Sequence, residues 1–341
     1  MQRSAFLLSL GATVVLASLS VATAADHLVF EGKEGPGKGK HIVLLSGDEE
    51  DRSEEALPML GQLLAEKHGF TATVLFSVGA DGTVDPNNQG SLTHSEALEK
   101  ADAIVMALRF RKWDEKALER FDAAVKRGVP VIGLRTSTHA FNIPGNGPFV
   151  KLSWGNKGGF GKQVLGETWV SHWGSHKHEA TKGVIEDSAK DNPVLRGVTD
   201  VFGDTDVYEA APPADATILL RGQVLKGMAP TDPPADYKKK TAAGNEQGVN
   251  EPMMPVAWLR TVKNDAGTEN KILCTTMGSA TDLKSEGLRR LVVNGVYWGL
   301  GLDVPAKADV TIPADWKPTD YGFNGFKKGM KPADFIPGAG K

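Results

Sequence analysis

The hydrophobic positions of the chain fall into short apolar runs separated by amphipathic stretches. Four apolar runs have the length and composition of buried strands: residues 40–46, 71–76, 101–108 and 129–134. A helical pattern of leucines follows the first run and ends at Gly69, and Pro58 predicts that its regular part starts near that proline. A second amphipathic helix is predicted over residues 113–127. Strands that alternate with helices predict an α/β fold with a mainly parallel sheet and helices on both faces.

Beyond residue 141 the pattern is weaker, because the chain becomes rich in Gly, Asn and Pro. Short strands are predicted at residues 164–170, 184–186 and 216–220, a hairpin at 255–262 and 271–276, and a closing helix at 282–300. Residues 210–255 contain many Pro, Lys and Gly residues and are predicted to form a surface insertion. Residues 303–341 form a Pro-rich tail, which four aromatic residues are predicted to pin to the body: Trp316, Tyr321, Phe323 and Phe326.

The first residues have the pattern of a secretory signal peptide. A short positive start at Arg3 precedes an apolar run over residues 5–17, and Ala22-Thr-Ala24 is a small-x-small cleavage site. The apolar run is shorter than the ~20 residues that span a bilayer. We therefore predict a signal peptide at 1–24, a linker at 25–39, a main domain at 40–302 and export to the periplasm or beyond, with no membrane span after cleavage.

Composition narrows the classes of function. The chain has 341 residues and a net charge of −3, so nothing favours nucleic acid as a partner. Its single cysteine, Cys274, allows no intramolecular disulfide and lies in a strand-like run, which indicates a core residue. No Gly-x-Gly-x-x-Gly motif follows the first strand, so a dinucleotide site has no support.

Charged residues follow the first and third predicted strands. Residues 48–55 are almost all acidic, and Asp48 and Glu54 are the candidates for a functional role, although acids also simply favour a helix N-terminus. Arg109 and Arg111 alternate after the third strand, so both could hold a carboxylate or sugar hydroxyls. The alternative is that the two arginines pair with the acidic cluster.

The fourth predicted strand ends at a polar turn. Ligands bind at the carboxyl ends of strands in open α/β sheets, which makes Arg135, Thr136, Thr138 and His139 candidates. Arg135 cannot be a nucleophile, because guanidinium stays protonated, but it could stabilise an oxyanion. His139 could transfer protons near neutral pH, or could instead cap the following turn.

Three histidines lie within seven residues in a chain that has eight histidines in all: His172, His176 and His178. Their spacing permits a zinc or iron site if Asp206 or Glu179 supplies a further ligand. Gly174 argues against a regular helix here. Metal-free acid/base chemistry, hydrogen bonding to a polar substrate and the absence of any function remain alternatives.

Several of these stretches together resemble the ThuA-like (trehalose utilisation) family. The matching stretches are residues 41–48, 128–141, 164–176, 204–208, 255–260, 275–278 and 289–298. The turn at Arg135 also resembles the nucleophile turn of class I glutamine amidotransferase-like folds, with Arg135 in the cysteine's place. The family often has His where this chain has Ser279 and in the first loop, where this chain has acids at 48–50. These departures resemble an exported bacterial subgroup.

The resemblance implies a flavodoxin-like, class I glutamine amidotransferase-like fold and a role in sugar metabolism, on glycosides or keto-glycosides. Our leading hypothesis is an exported enzyme, an isomerase, lyase or hydrolase, that transfers a proton next to a keto group. Its catalytic candidates are His139, His172, Glu54 and Arg135. Its substrate-binding candidates are Asp48, Arg109, Arg111, Thr136, Thr138, His176 and Asp206.

The alternative hypothesis is a non-catalytic sugar-binding or scaffolding module. Under either hypothesis the ligand is a small carbohydrate, and a divalent metal such as zinc is a candidate cofactor at His172, His176 and His178. Glutamine amidotransferase activity is not expected, because it needs a thiolate or its equivalent at the turn.

Overall fold

The computed structural model describes residues 21–23 and 26–338. Within this part of the chain, eleven strands form one mixed sheet in the order β1-β2-β4-β3-β5-β6-β13-β12-β9-β7-β8. These strands are β1 (Val21–Thr23), β2 (His27–Phe30), β3 (His41–Gly47), β4 (Thr71–Leu75), β5 (Ala103–Leu108), β6 (Val131–Leu134), β7 (Thr181–Ile185), β8 (Phe202–Gly203), β9 (Thr217–Val224), β12 (Met254–Lys263) and β13 (Glu269–Thr275). The strands β10 (Lys238–Lys240) and β11 (Glu246–Gly248) form a separate hairpin.

The five central strands β4, β3, β5, β6 and β13 are parallel, and the flanking strands pair antiparallel. The central strands are buried on both faces, to which the side chains of successive residues point in alternation. Val43 and Leu45 pack into one apolar cluster, and Ile42 and Leu44 pack into the other. The α/β class and the largely parallel sheet agree with the sequence-based prediction.

Three α-helices cover the two faces: α1 (Ser53–His68), α2 (Glu115–Lys126) and α3 (Glu286–Leu300). The apolar residues of α1 and α3 belong to one cluster and those of α2 belong to the other, so the helices lie on both faces, as predicted. Ser285 caps α3 by accepting the amide of Leu288. Gly69 ends α1 with φ of 78°, a left-handed conformation that glycine adopts without strain.

Some boundaries differ from the predictions. Helix α1 begins at Ser53, five residues before Pro58, so the proline lies inside the helix. The range 25–39, predicted as a linker, contains β2, which pairs with β4 in the sheet. The range 210–255, predicted as a surface insertion, contains β9, in which Leu219, Leu220 and Val224 are completely buried. The separate hairpin of β10 and β11 lies between β9 and β12, within the same range.

The strand predicted at residues 164–170 does not form in the described part of the chain. Residues Gly161–Leu165 form a single π-helical turn instead, and Gly166 follows with φ of 106°. A side chain at Gly166 would meet Trp258 and Arg260, so the close packing here, as well as the positive φ, favours glycine. The predicted hairpin is confirmed, since β12 and β13 pair antiparallel around the turn after Lys263.

The C-terminal tail is attached to the body by its aromatic residues. The indole of Trp316 donates to the carbonyl of Glu55 (3.2 Å), and the hydroxyl of Tyr321 donates to the carbonyl of Asp204 (3.0 Å). Phe326 is buried, whereas Phe323 is 53 % exposed.

The described helices include none that is long and apolar enough to cross a bilayer. The predicted signal peptide falls mostly on residues 1–20 and 24, which lie outside the described residues.

Candidate functional site

The polar residues that follow the parallel strands meet at one edge of the sheet. The hydroxyl of Thr136, after β6, donates to the carboxylate of Asp48, after β3. Arg109, after β5, donates to Glu49 (2.6 Å). Parallel strands present their carboxyl ends at the same edge, which is why residues far apart in sequence converge here. Two further segments reach this edge, the loop that contains His172 and the C-terminal tail.

Asp206 is the centre of the most connected cluster at this edge. Its buried carboxylate accepts hydrogen bonds from Arg135 (2.8 Å), from Nδ1 of His172 (2.8 Å) and from Nδ1 of His176 (2.9 Å). Burial alone would raise the pKa of Asp206, but Arg135 and the two histidines outweigh burial and hold the pKa well below its usual range. Asp206 is thus a fixed negative charge that orients two imidazole rings.

The two imidazole rings differ in their second partner. Nε2 of His176 lies 3.3 Å from a carboxylate oxygen of Glu50. Hydrogen bonds to Asp206 and Glu50 raise the pKa of His176 to about 9, so this ring is an imidazolium at neutral pH. The side chain of His172 is 38 % exposed. Because Nδ1 of His172 is bonded to Asp206, Nε2 is the ring nitrogen that remains for an external molecule.

A series of ring contacts includes the two imidazoles. The successive ring centroids are 4.8 Å apart from Phe110 to His139, 5.8 Å to Trp169, 5.7 Å to His172, 4.6 Å to His176 and 5.6 Å to Tyr321. At the Phe110 end, the guanidinium of Arg109 extends the series, since it lies 4.7 Å from the ring centre of Phe110 and 4.8 Å from that of Phe323. We refer to these eight residues as the aromatic rim.

Tyr208 joins the rim to the buried cluster. Its ring lies 5.6 Å from His172 and 6.4 Å from His139, and the guanidinium of Arg135 lies 3.8 Å from its ring centre. Burial, opposed by Arg135, raises the pKa of the Tyr208 hydroxyl well above its usual value, so the hydroxyl stays protonated. It is therefore available as a neutral hydrogen-bond donor.

The hydrogen bonds of Arg135 show how its guanidinium is held at the turn after β6. Its side chain is 1 % exposed, and it donates to the Asp206 carbonyl (2.7 Å), the Asp206 carboxylate (2.8 Å) and the Thr276 carbonyl (3.0 Å). These contacts direct the guanidinium into the protein. Arg135 orients Asp206, and the stabilisation of a substrate oxyanion by Arg135 stays an untested prediction. Its φ of 45° places the turn in the left-handed region.

Arg111 shows the pairing that was the alternative to substrate binding. Its side chain is completely buried, donates to Glu49 (2.5 Å) and to the carbonyls of Arg109 (2.6 Å) and Pro86 (3.0 Å). Arg109 also pairs with Glu49, but its side chain is 19 % exposed and belongs to the rim. Of the two predicted arginines, only Arg109 is positioned to contact a ligand.

The two acids that the sequence favours are not exposed at the site. The carboxylate of Asp48 accepts the amides of Glu50 (2.7 Å) and Asp51 (2.9 Å), so it stabilises the turn after β3. Glu54 is completely buried in the first turn of α1, and neither carboxylate oxygen has a hydrogen-bond partner among the described residues. Burial raises the pKa of Glu54 to about 8. The acid that reaches the histidines is Glu50.

Thr136, Thr138 and His139 are buried at the turn after β6. The hydroxyl of Thr138 lies 3.2 Å from Nδ1 of His139. Burial, together with the positive charges of Arg109 and Arg135, holds the pKa of His139 well below its usual range, so its imidazole is neutral. His139 belongs to the rim, where it contacts Phe110, Trp169 and Tyr208.

The geometry changes the candidate metal set. His172, His176 and Asp206 each place one ligand atom within 4.8 Å of the others, and these three residues could hold a divalent ion. His178 is exposed and is not part of this group among the residues described. Glu179, the other acid considered as a ligand, accepts hydrogen bonds from the Ser175 amide and the Tyr237 hydroxyl instead.

Sequence reasoning missed Glu50, Trp169 and the role of the tail residues Tyr321 and Phe323. Glu50 is one of six acids within eight residues, and a backbone that is not helical until Ser53 gave no periodicity from which to choose among them. Trp169 lay in a predicted strand. For the tail residues, the only signal was their aromatic character in an otherwise polar segment.

The fold and the site together define an α/β protein with a largely parallel sheet and an acid–imidazole cluster at the carboxyl ends of its strands. The chain is similar in structure to a protein from Parabacteroides merdae ATCC 43184 that is described as ThuA-like, with 16% identity, 84% of this chain and 98% of that chain covered, and a TM-score of 0.47. A second such protein, from Bacteroides uniformis ATCC 8492, has 14% identity, coverage of 78% and 92%, and a TM-score of 0.47.

These similarities concern the arrangement of the chain, and they carry neither an activity nor a residue role to this protein. No family model matches the sequence, and no curated protein matches it.

Proposed function

We propose that the protein is an exported enzyme that acts on a carbohydrate, a glycoside or keto-glycoside, by proton transfer at a carbon next to a carbonyl group. The observation that supports this most directly is the Asp206-oriented pair of imidazoles, one of them accessible, within the aromatic rim. The signal-peptide pattern of residues 1–24 supports export. The left-handed turn at Arg135, directly after β6, supports the amidotransferase-like form of the fold.

In the proposed reaction, His172 is the base. Nε2 of His172 accepts the proton from the carbon, while Asp206 bonds Nδ1 and stabilises the imidazolium that forms. The enolate oxygen that develops is stabilised by the guanidinium of Arg109 and by the protonated hydroxyl of Tyr208. Return of this proton to the former carbonyl carbon, with transfer of the hydroxyl proton between the two oxygens, gives isomerisation. Loss of a substituent at the next carbon as an alkoxide, which takes up the proton from Nε2 of His172, gives elimination.

The rim supplies the binding surface that a carbohydrate needs. Sugar rings present flat patches of C–H groups that pack on aromatic side chains, and hydroxyl groups that bond to charged side chains. Trp169 is half-buried next to His172, and Arg109 and Glu50 carry opposite charges on the other side of His176. A polar cluster inside an aromatic surround is typical of a site for a polar ligand with apolar faces.

The test is turnover of a panel of glycosides and 3-keto-glycosides by the purified protein, with and without added divalent metal ions. We expect turnover of at least one 3-keto-glycoside, and a loss of at least ~100-fold in His172→Gln. The matched control is His178→Gln, which changes an exposed histidine of the same loop and should leave the rate unchanged. Absence of turnover across the whole panel, with metals and without, would exclude the proposal.

A non-catalytic sugar-binding module is the second candidate. One observation favours it. At the strand-end turn, the Arg135 guanidinium holds Asp206 and does not face outward. Calorimetry separates the two candidates. Sugar binding that persists in His172→Gln, together with no turnover by the unmodified protein, would support the module.

A further inference from the structure

The tail places one aromatic residue at the site with a well-defined position. The Gly322 amide donates to the carbonyl of Glu50 (2.7 Å), and the guanidinium of Arg52 donates to the carbonyl of Gly322 (2.5 Å). Gly322 is therefore held on both sides by the loop after β3. Phe323 follows directly, so its backbone is fixed relative to Glu50, the acid that contacts His176.

Phe323 is unusually exposed for an aromatic residue. At 53 % it is the most exposed of the large hydrophobic side chains in the described part of the chain, and the others reach 38 %. A single exposed hydrophobic side chain is common and needs no explanation by itself. Here, however, the exposed ring belongs to a fixed segment and contacts a charged residue of the site.

The guanidinium of Arg109 contacts both Phe323 and Phe110. It lies 4.8 Å from the ring centre of Phe323 and 4.7 Å from that of Phe110. The same guanidinium bonds Glu49 and lies 3.7 Å from Glu50. These contacts hold Arg109 in place beside the exposed ring of Phe323.

We propose that Phe323 and Arg109 form an outer subsite that determines specificity by binding the second unit of a glycoside through its flat, apolar ring face. The second unit would be either an aryl group or another sugar, since both present such a face. Phe323 packs against the ring, and Arg109 bonds a neighbouring oxygen. This inference rests on the proposed function, because it assumes that the first unit is bound beside His172.

The expected discrimination follows from the size of the second unit. A ring packed against Phe323 gains a stacking contact, whereas a methyl group is too small to cover it. Aromatic ring contacts favour binding by roughly three- to tenfold over their absence. The protein should therefore bind 4-nitrophenyl glucoside or cellobiose, or their 3-keto forms, more tightly than methyl glucoside by about that factor.

The experiment is calorimetric titration of the full chain with the three ligands, for the unmodified protein, Phe323→Ala, Phe323→Leu and Phe323→Tyr. We expect Phe323→Ala and Phe323→Leu to remove the preference for ring-bearing ligands over methyl glucoside. Phe323→Tyr keeps the ring and should restore the preference. The control variant is Ile185→Ala, which removes another exposed hydrophobic side chain, on β7, and should change none of the three affinities.

The outcomes are distinguishable. If the unmodified protein binds the ligands but Phe323→Ala weakens all three equally, or none, the subsite is overturned and the proposed function stands. If the unmodified protein binds none of them, in plain or keto form, the proposed function fails and the subsite with it. A preference for the aryl ligand alone, or for cellobiose alone, supports the subsite and identifies the second unit.

Discussion

Two charged clusters lie at the same edge of the sheet and have similar chemistry but different surroundings. In the first, Glu49 binds the guanidinium groups of Arg109 and Arg111. In the second, Asp206 binds the guanidinium of Arg135 and the imidazoles of His172 and His176. Each cluster has a buried carboxylate that is neutralised by a buried arginine.

The clusters differ in the remaining partners. The Arg111 side chain is completely buried, whereas the side chains of His172 and His176 are 38 % and 26 % exposed. Arg111 therefore stabilises the fold, whereas Arg109, which is 19 % exposed, and the two histidines of the second cluster are accessible at fixed positions. A charged cluster at a strand end becomes a candidate site when some of its groups remain accessible, and the sequence alone does not report that.

The largest effect is expected from breaking the first cluster. Arg111→Met leaves one oxygen of the buried Glu49 without its guanidinium partner, and such a change typically costs about 3–5 kcal/mol of unfolding free energy. Denaturant unfolding of the variant measures this cost. The control is Arg120→Met, which removes ion pairs with the exposed Glu96 and Glu99 and should cost less than about 1 kcal/mol. Equal costs for both variants would contradict the structural role of Arg111.

The next effect concerns Glu54, a buried acid whose carboxylate has no hydrogen-bond partner among the described residues. The pKa of Glu54 is raised by burial to about 8 in the folded protein, above its ordinary value, so the folded state binds its proton more tightly than the unfolded state. This contribution to stability is fully present below the unfolded pKa and is lost as the pH rises through about 8. As the pH rises from the unfolded pKa of Glu54 to about 8, the unfolding free energy should fall by a few kcal/mol.

Glu54→Gln cannot titrate, so it should remove this part of the pH dependence. We expect the variant to be less sensitive to pH than the unmodified protein between about pH 5 and 9 in unfolding experiments. Glu66→Gln is a control, since Glu66 is an exposed acid at the other end of the same helix. Parallel stability profiles for Glu54→Gln and the unmodified protein would show that Glu54 is ionised in the fold.

The smallest effect tests how the second cluster is held. Lys239, in the hairpin of β10 and β11, donates to the carbonyls of His172 (2.6 Å) and Trp173 (2.9 Å). Lys239→Met should cost about 1–2 kcal/mol, because two backbone carbonyls lose a charged donor. Lys240→Met, its exposed neighbour, should be neutral. Thermal unfolding measures both, and the imidazole signals of His172 in NMR spectra should shift in the first variant only.

The strands that could be predicted from the sequence are those that are buried on both faces of the sheet. Strand β5 is buried on both faces of the sheet, so its sequence is a continuous apolar run whose short length indicates a strand. Strand β9 is different. Its buried residues lie in a stretch dominated by Pro, Lys and Gly, and its pairing with β7 and β12 is long-range, so only part of the strand was predicted.

The candidate site was predictable to the level of segments and not of side chains. The histidine loop and Asp206 were identified from composition, and the structure brings His172, His176 and Asp206 together. Among the acids after β3, Glu50 is the one that lies near His176, and the sequence could not single it out because the chain is not helical until Ser53. The orientation of the Arg135 guanidinium could not be predicted either, because its partner Asp206 lies 71 residues away in the sequence.

The tail contact has a consequence for the order in which the protein is made. A chain synthesised as far as the end of α3 already contains every strand of the sheet and all three α-helices, but the rim still lacks Tyr321 and Phe323. The rim is thus completed only after every one of these strands has been synthesised. Because Val304, Val310 and Phe335 of the tail belong to the same apolar cluster as α1 and α3, the segment that completes the site also completes that part of the core.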